Sequence, residues 1–145
     1  MDEVAQKGVK IESGSVFRKL VLGMHQALAT FAACGNNIIF DHVLWEAGWL
    51  SECLRLLEGV EVLFVGVRCP LDVVEQRERD RGNRFLGQAR GHFDIVHAHR
   101  IYDLEIDTSV STPEEGALEI VERLKNGPPG DAFDRLRKTD LERED

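Results

Sequence analysis

The sequence predicts an α/β fold in which a parallel sheet is flanked by helices in three layers. One observation is the order of its periodicities. Helical spacings of apolar residues alternate with short β-prone runs, giving helix, strand, helix, strand, helix, strand, helix, and strands separated by helices pair in parallel because each crossover returns the chain to the same end of the sheet. A second is the character of the β-prone runs NIIFDHVL, VEVLFVGV and YDLEIDT. They are too short for globular helices and rich in β-branched residues, which suits buried strands.

Residues 1–14 show little periodicity and contain Gly8 and Gly14, so an extended lead-in is expected there. Ser13 or Ser15 is placed to cap a first helix over Ser15 to Cys34, whose Val16, Phe17, Leu20, Val21, Met24, Leu28 and Phe31 recur at steps of three and four. Gly35 and Asn36 suit a left-handed terminator. Asn37 to Leu44 reads as a strand, and Trp45 to Glu58 as a helix through Trp45, Trp49, Leu50, Cys53, Leu54 and Leu57. Val60 to Val67 is the second strand. Pro70 at the first helical position starts a helix that runs to Gly82. Asn83 to His99 lacks a clean period and is expected to be a loop holding at most one helical turn. Tyr102 to Thr108 is the third strand. Thr112, Pro113, Glu114 and Glu115 then form a strong helix start, with Leu118, Ile120, Val121 and Leu124 on its inward face. Beyond Asn126 a breaker leads into a charged tail over 127–145, expected to be disordered or a frayed helix. The expected domain is therefore residues 15–126.

At 145 residues the chain can bury one real core. No apolar run approaches the roughly 20 residues that span a bilayer, and the first residues lack the pattern of a signal peptide, so a cytoplasmic location away from membranes is expected. Cys34, Cys53 and Cys69 are odd in number and widely spaced, in apolar or helical surroundings, which reads as buried free thiols in a reducing compartment. A net charge of −8 argues against a nucleic-acid partner. Positive charge is concentrated locally instead. From Arg77 to Arg100 there are six arginines and three acids, an island suited to a small anionic ligand.

In parallel α/β sheets ligands bind beyond the carboxyl ends of the strands, a rule that gathers Asp41, His42, Arg68, Cys69, Thr108 and Ser109 on one rim. Asp41 either holds a magnesium ion or its water ligands, or caps the helix that follows. Arg77 and Arg81 share a helix face and Arg84 follows Gly82. These guanidinium groups either grip phosphate oxygens or form a solvated row in which Glu78 pairs with Arg81. His92, His97 and His99 lack a completing ligand at a recognisable metal spacing. No GxSxG elbow for a serine hydrolase is present.

With these residues in view, the sequence resembles the chloramphenicol phosphotransferase-like proteins, a family of small P-loop kinases. The resemblance rests on VLFVGVRCPLDVVEQRERDRGNR from Val62 to Arg84, on GQAR and VHAHRIYDLEIDTS after it, and on IIFDHVL before it, and covers about Gly8 to Leu124. It implies an ATP-dependent phosphotransferase acting on a hydroxyl of a small molecule, with ATP and magnesium as cofactors. It also implies that Arg81 and Arg84 approach the nucleotide phosphates from a mobile lid, with Arg77 beside them, and that Asp41 lies on the strand bearing the acid of the second nucleotide motif. Oligomeric state is left open. The sequence departs from the family pattern in one respect: GxxxxGK[ST] is absent. The resemblance thus implies an N-terminally truncated member lacking the first strand, the phosphate-binding loop and the second strand with its catalytic base. Such a chain is expected to be inactive, because the backbone amides and lysine of that loop cradle the phosphates. The alternative is a non-catalytic module that binds a nucleotide or a partner.

Overall fold

A computed structural model describes residues 8–46, 48–83 and 85–144, with side chains described through residue 139. Its elements in chain order are helices α1 (Ser15–Ala33) and α2 (Trp49–Leu56), strand β1 (Val65–Arg68), helices α3 (Leu71–Arg81) and α4 (Gln88–Val96), strand β2 (Leu104–Asp107), and helices α5 (Pro113–Asn126) and α6 (Ala132–Glu144).

The architecture is mixed α/β with a small parallel sheet. β1 and β2 pair in parallel, with Val65 opposite Leu104 and Arg68 opposite Asp107. This is the pairing expected of strands joined by a helical crossover, here α3 and α4. The first of the three expected strands, Asn37 to Leu44, does not form among the described residues. That segment has no ladder partner among the described residues, and Ile39 on it is fully exposed. A β-branched run favours extended backbone, yet only a neighbouring strand supplies the hydrogen bonds that make it a strand.

The helices match the periodicities with local corrections. α1 is capped by Gly14 without a side-chain bond, so neither Ser13 nor Ser15 supplies the cap. At its other end Gly35 takes the left-handed conformation, with φ of 81°, as its sequence suggests. α2 starts at Trp49 rather than Trp45, and Pro70 occupies the cap of α3 rather than its first turn. α4 stands where a loop was expected. Its start is fixed from outside the segment by the buried Glu78 of α3, whose carboxylate accepts the backbone N–H groups of Gly87 and Ala89, each at 2.7 Å. A carboxylate at a helix N-terminus satisfies amides that have no partner within the helix. The Glu78–Arg81 pair of a solvated helix face is accordingly absent. On α5, Thr112 and Glu115 make the reciprocal capping box, but Leu118, Val121 and Leu124 are exposed rather than inward.

The core lies where α2, α6 and residues 60–64 meet. Cys53, Leu54 and Leu57 pack with Phe133 and Leu136, and Leu28, Val62, Phe64 and Ile101 close around them. The charged tail expected to be disordered or frayed forms a helix in which Ala132, Phe133 and Leu136 are buried. Two polar ties hold it. Asp103 accepts the amides of Asp131 and Ala132 through one carboxylate oxygen, at 2.7 and 2.9 Å, and that of Phe64 through the other, at 2.8 Å. Arg137 donates to the Leu54 and Leu57 carbonyls at the end of α2, at 2.9 and 3.1 Å. Both place opposite charge on the unpaired groups of a helix end.

Candidate functional site

Two regions of chemistry emerge, one at the carboxyl end of the sheet and one against α1.

At the sheet end the backbone of Thr108 donates to the Arg68 carbonyl at 2.9 Å, extending the ladder by one bond, and its hydroxyl donates to the same oxygen at 3.1 Å. Arg77 reaches across from α3. One of its terminal nitrogens donates to Thr108 Oγ1 at 2.9 Å and the other to the Thr108 carbonyl at 2.7 Å. Ser109 donates from its amide and hydroxyl to Asp107, at 2.8 and 2.6 Å, and these two bonds lead in holding the Asp107 carboxyl below its ordinary range. Arg68 pairs with Glu105. Arg81, the last residue of α3, is exposed, and its side chain makes no hydrogen bond or ion pair among the described residues. Arg84 lies outside the described residues. Of the rim expected from the sequence, then, Arg68, Thr108 and Ser109 come together and Arg77 joins them.

Asp41 and His42 sit elsewhere. Because residues 37–44 are not in the sheet, they lie along α1 and α2 on the wall of an open groove of about 300 Å³, with Phe17, Leu20, Trp45 and Trp49 as its apolar surface. Behind the wall is a chain of hydrogen bonds. His25 of α1 is completely buried, its Nδ1 lies 2.8 Å from Glu52 Oε2, and its Nε2 lies 3.0 Å from His42 Nε2. Burial first, and the neighbouring His25 second, lower the His42 pKa to about 4, against a smaller opposing pull from Asp41. His42 also stacks on Trp49 with ring centroids 5.4 Å apart.

The remaining histidines meet aromatic neighbours. His97 Nδ1 lies 2.5 Å from the Tyr102 hydroxyl, His99 stacks on Phe64, and His92 stacks on Trp45. Burial lowers the pKa of each, and it raises that of Tyr102 to about 12. Among the described residues no group of three or more His, Cys, Asp or Glu side chains is placed to hold a metal. Around Asp41, accordingly, the described residues form no such group.

His25, Glu52 and Glu78 were not singled out from the sequence. A signal existed for His25, since it follows Val21 by four on the buried stripe of α1, and a histidine on such a stripe needs polar partners. Nothing local marks Glu78, whose partners are nine and eleven residues away.

Comparison with known proteins adds the following. Among described helices none is long and apolar enough to cross a membrane. The family model described as chloramphenicol phosphotransferase-like protein matches residues 2–125. Two curated proteins, from two strains of Mycobacterium tuberculosis and each named "Putative O-phosphotransferase", are 38% identical over 122 residues, which is 82% of this chain and 54% of theirs. The chain spans about half the length of these relatives.

Proposed function

The chain belongs to the chloramphenicol phosphotransferase-like family, and from that premise we propose that it is the arginine-bearing and acceptor-side part of an ATP-dependent small-molecule O-phosphotransferase. The observation that carries the reading is the family match over 2–125, joined by relatives whose names give the reaction class. The local chemistry agrees with it. Arg81 has an uncommitted guanidinium group one helical turn beyond Arg77, which itself reaches the carboxyl end of β2, where the phosphates of ATP would gain charge-assisted hydrogen bonds. Arg84, two residues beyond Gly82, would act with Arg81 on the transferring group.

The chain contains no GxxxxGK[ST]. Arginines supply charge to a phosphate but not the concave set of backbone amides that fixes its orientation. By itself the chain therefore does not transfer phosphate. Magnesium would arrive with the nucleotide, held mainly by phosphate oxygens and water, and no step is assigned to Asp41 through it.

The test is ADP release from ATP in the presence of a panel of hydroxylated small molecules, run on this chain and on one of the Mycobacterium tuberculosis relatives. The relative should turn over with at least one acceptor and the chain with none. Titration calorimetry should find weak ATP binding to the chain, reduced several-fold in Arg81→Ala. Turnover by the chain alone would refute its incompetence, and absence of turnover by the relative with every acceptor would refute the reaction class.

A second reading is a non-catalytic module completed by a partner chain. It is favoured by the two-stranded sheet, in which Val67 of β1 is 58% exposed, since an unpaired parallel strand edge is a template for another strand.

A further inference from the structure

We propose that Glu78 is a positioning residue for Arg81: by clamping the start of α4 to the last turn of α3, its carboxylate holds the arginine end of α3 in order for a phosphate-bearing anion. The proposal rests on the phosphotransferase reading in taking Arg81 as a phosphate ligand. The clamp itself is read from the geometry.

α3 and α4 are joined through two left-handed glycines, Gly82 with φ of 63° and Gly87 with φ of 90°. Glycine leaves such a connection soft, because no side chain restricts its backbone. No apolar anchor holds it down either, since Phe85 is 76% and Leu86 54% exposed. Glu78 closes it instead. Its side chain is buried, its Oε2 accepts the N–H of Gly87 and its Oε1 that of Ala89, each at 2.7 Å, and hydrogen bonds to a carboxylate away from water are among the stronger ones. The far side of the clamp is fixed in turn. The Gly87 carbonyl accepts the N–H of Val9 at 2.7 Å, and Arg90 of α4 donates to Glu75 at 2.6 Å. Glu75 and Glu78 are three apart on α3 and share a face, so two carboxylates of one helix grip the first turn of the next.

Arg81 follows Glu78 by three and is the last residue of α3. Helix ends fray unless something fastens them, and an arginine on a frayed turn must be ordered before it can bind. The clamp does that ordering in advance. It also occupies the amides at the start of α4, which would otherwise draw the anion to themselves, and leaves the Arg81 guanidinium group open to it.

The sign of a charge-removal effect tests this. If charge alone mattered, taking a carboxylate away from the neighbourhood of Arg81 would tighten anion binding; if Glu78 positions Arg81, taking away that one carboxylate weakens it. The full chain is titrated with sodium tripolyphosphate by calorimetry at neutral pH, at a temperature where circular dichroism shows every variant folded, so that lost stability alone leaves the affinity unchanged. Arg81→Ala should bind several-fold more weakly. Asp80→Asn, which removes the same charge from an exposed position of α3, should bind about twofold more tightly. Glu78→Leu should bind about fivefold more weakly, the cost of ordering one long side chain, and Glu78→Gln, which keeps one acceptor, about twofold more weakly. Equal or tighter binding in both Glu78 variants would overturn the proposal and leave the phosphotransferase reading standing. If Glu78→Leu does not fold, Glu78→Gln against Asp80→Asn decides alone. No binding by the parent chain, or binding that Arg81→Ala leaves unchanged, would overturn both the proposal and the place of Arg81 in that reading. The expected signs together with no phosphate transfer by the relative would overturn the reaction class and leave the clamp standing.

Discussion

Arg77 on α3 braces Thr108 at the end of β2, donating to both its hydroxyl and its carbonyl oxygen at 2.9 and 2.7 Å. The fork geometry of the guanidinium makes this possible, because two nitrogens in one plane reach two oxygens of one residue. A helix that would carry phosphate-gripping arginines is thereby joined to the strand end that a nucleotide would approach.

Arg77→Lys keeps the charge but has one nitrogen in place of two. Both bonds are solvent-exposed, so the expected loss of stability is only about 1 kcal/mol, read from the urea midpoint. The more sensitive signal is amide exchange at Thr108, whose N–H donates to Arg68. It should quicken in Arg77→Lys and more so in Arg77→Ala. Unchanged exchange in both would mean that Arg77 does not brace the strand.

Glu78 should matter more than its place in a charged row suggests. Its buried carboxylate satisfies two amides at the start of α4, and leaving them unpaired costs roughly 1 to 3 kcal/mol. Glu78→Ala should lose about that much, measured by chemical denaturation, with fraying of α4 seen as lost amide protection at Gly87 and Ala89. Glu78→Gln should fall between, since one carbonyl oxygen remains.

Acidification should destabilise the protein through His42. Its pKa falls from 6.5 to about 4 on folding, so between those values the unfolded chain binds more protons. The contribution to stability is whole above pH 6.5 and is lost as pH falls through about 4. The ring is half-buried, and solvent screening reduces the effect to on the order of 2 kcal/mol. Thermal melts across that interval should show a drop that His42→Gln lacks, and parallel curves for both proteins would contradict it.

Removing residues 127–145 should unfold the chain rather than trim it. Phe133 and Leu136 belong to the same buried cluster as Cys53, Leu54 and Leu57, and Leu136→Ala alone should cost about 2 to 5 kcal/mol. Circular dichroism of the shortened chain and denaturation of the point variant check this. A shortened chain with native melting would show that the core does not need α6.

The amino-acid sequence by itself determined the local elements whose instructions lie within a few residues. Thr112 with Glu115 specifies the start of α5, Gly35 the end of α1, and the short runs around Val65 and Leu104 the two strands, because caps, left-handed turns and β-branched patterns act at short range. It also carried the family, through the runs around Val62 to Arg84 and Tyr102 to Ser109. Only the tertiary structure decided the rest. Ile38 and Ile39 form no strand despite their β-branched side chains, because pairing depends on a neighbour that those side chains cannot supply. α4 exists where the sequence has no period, because Glu78 caps it from another helix. The tail is core because Phe133 and Leu136 find α2, with Asp103 and Arg137 tying the helix ends. The Glu52–His25–His42 chain joins residues 27 and 17 positions apart. Contacts over such distances depend on how elements pack, and packing is a property of the whole chain.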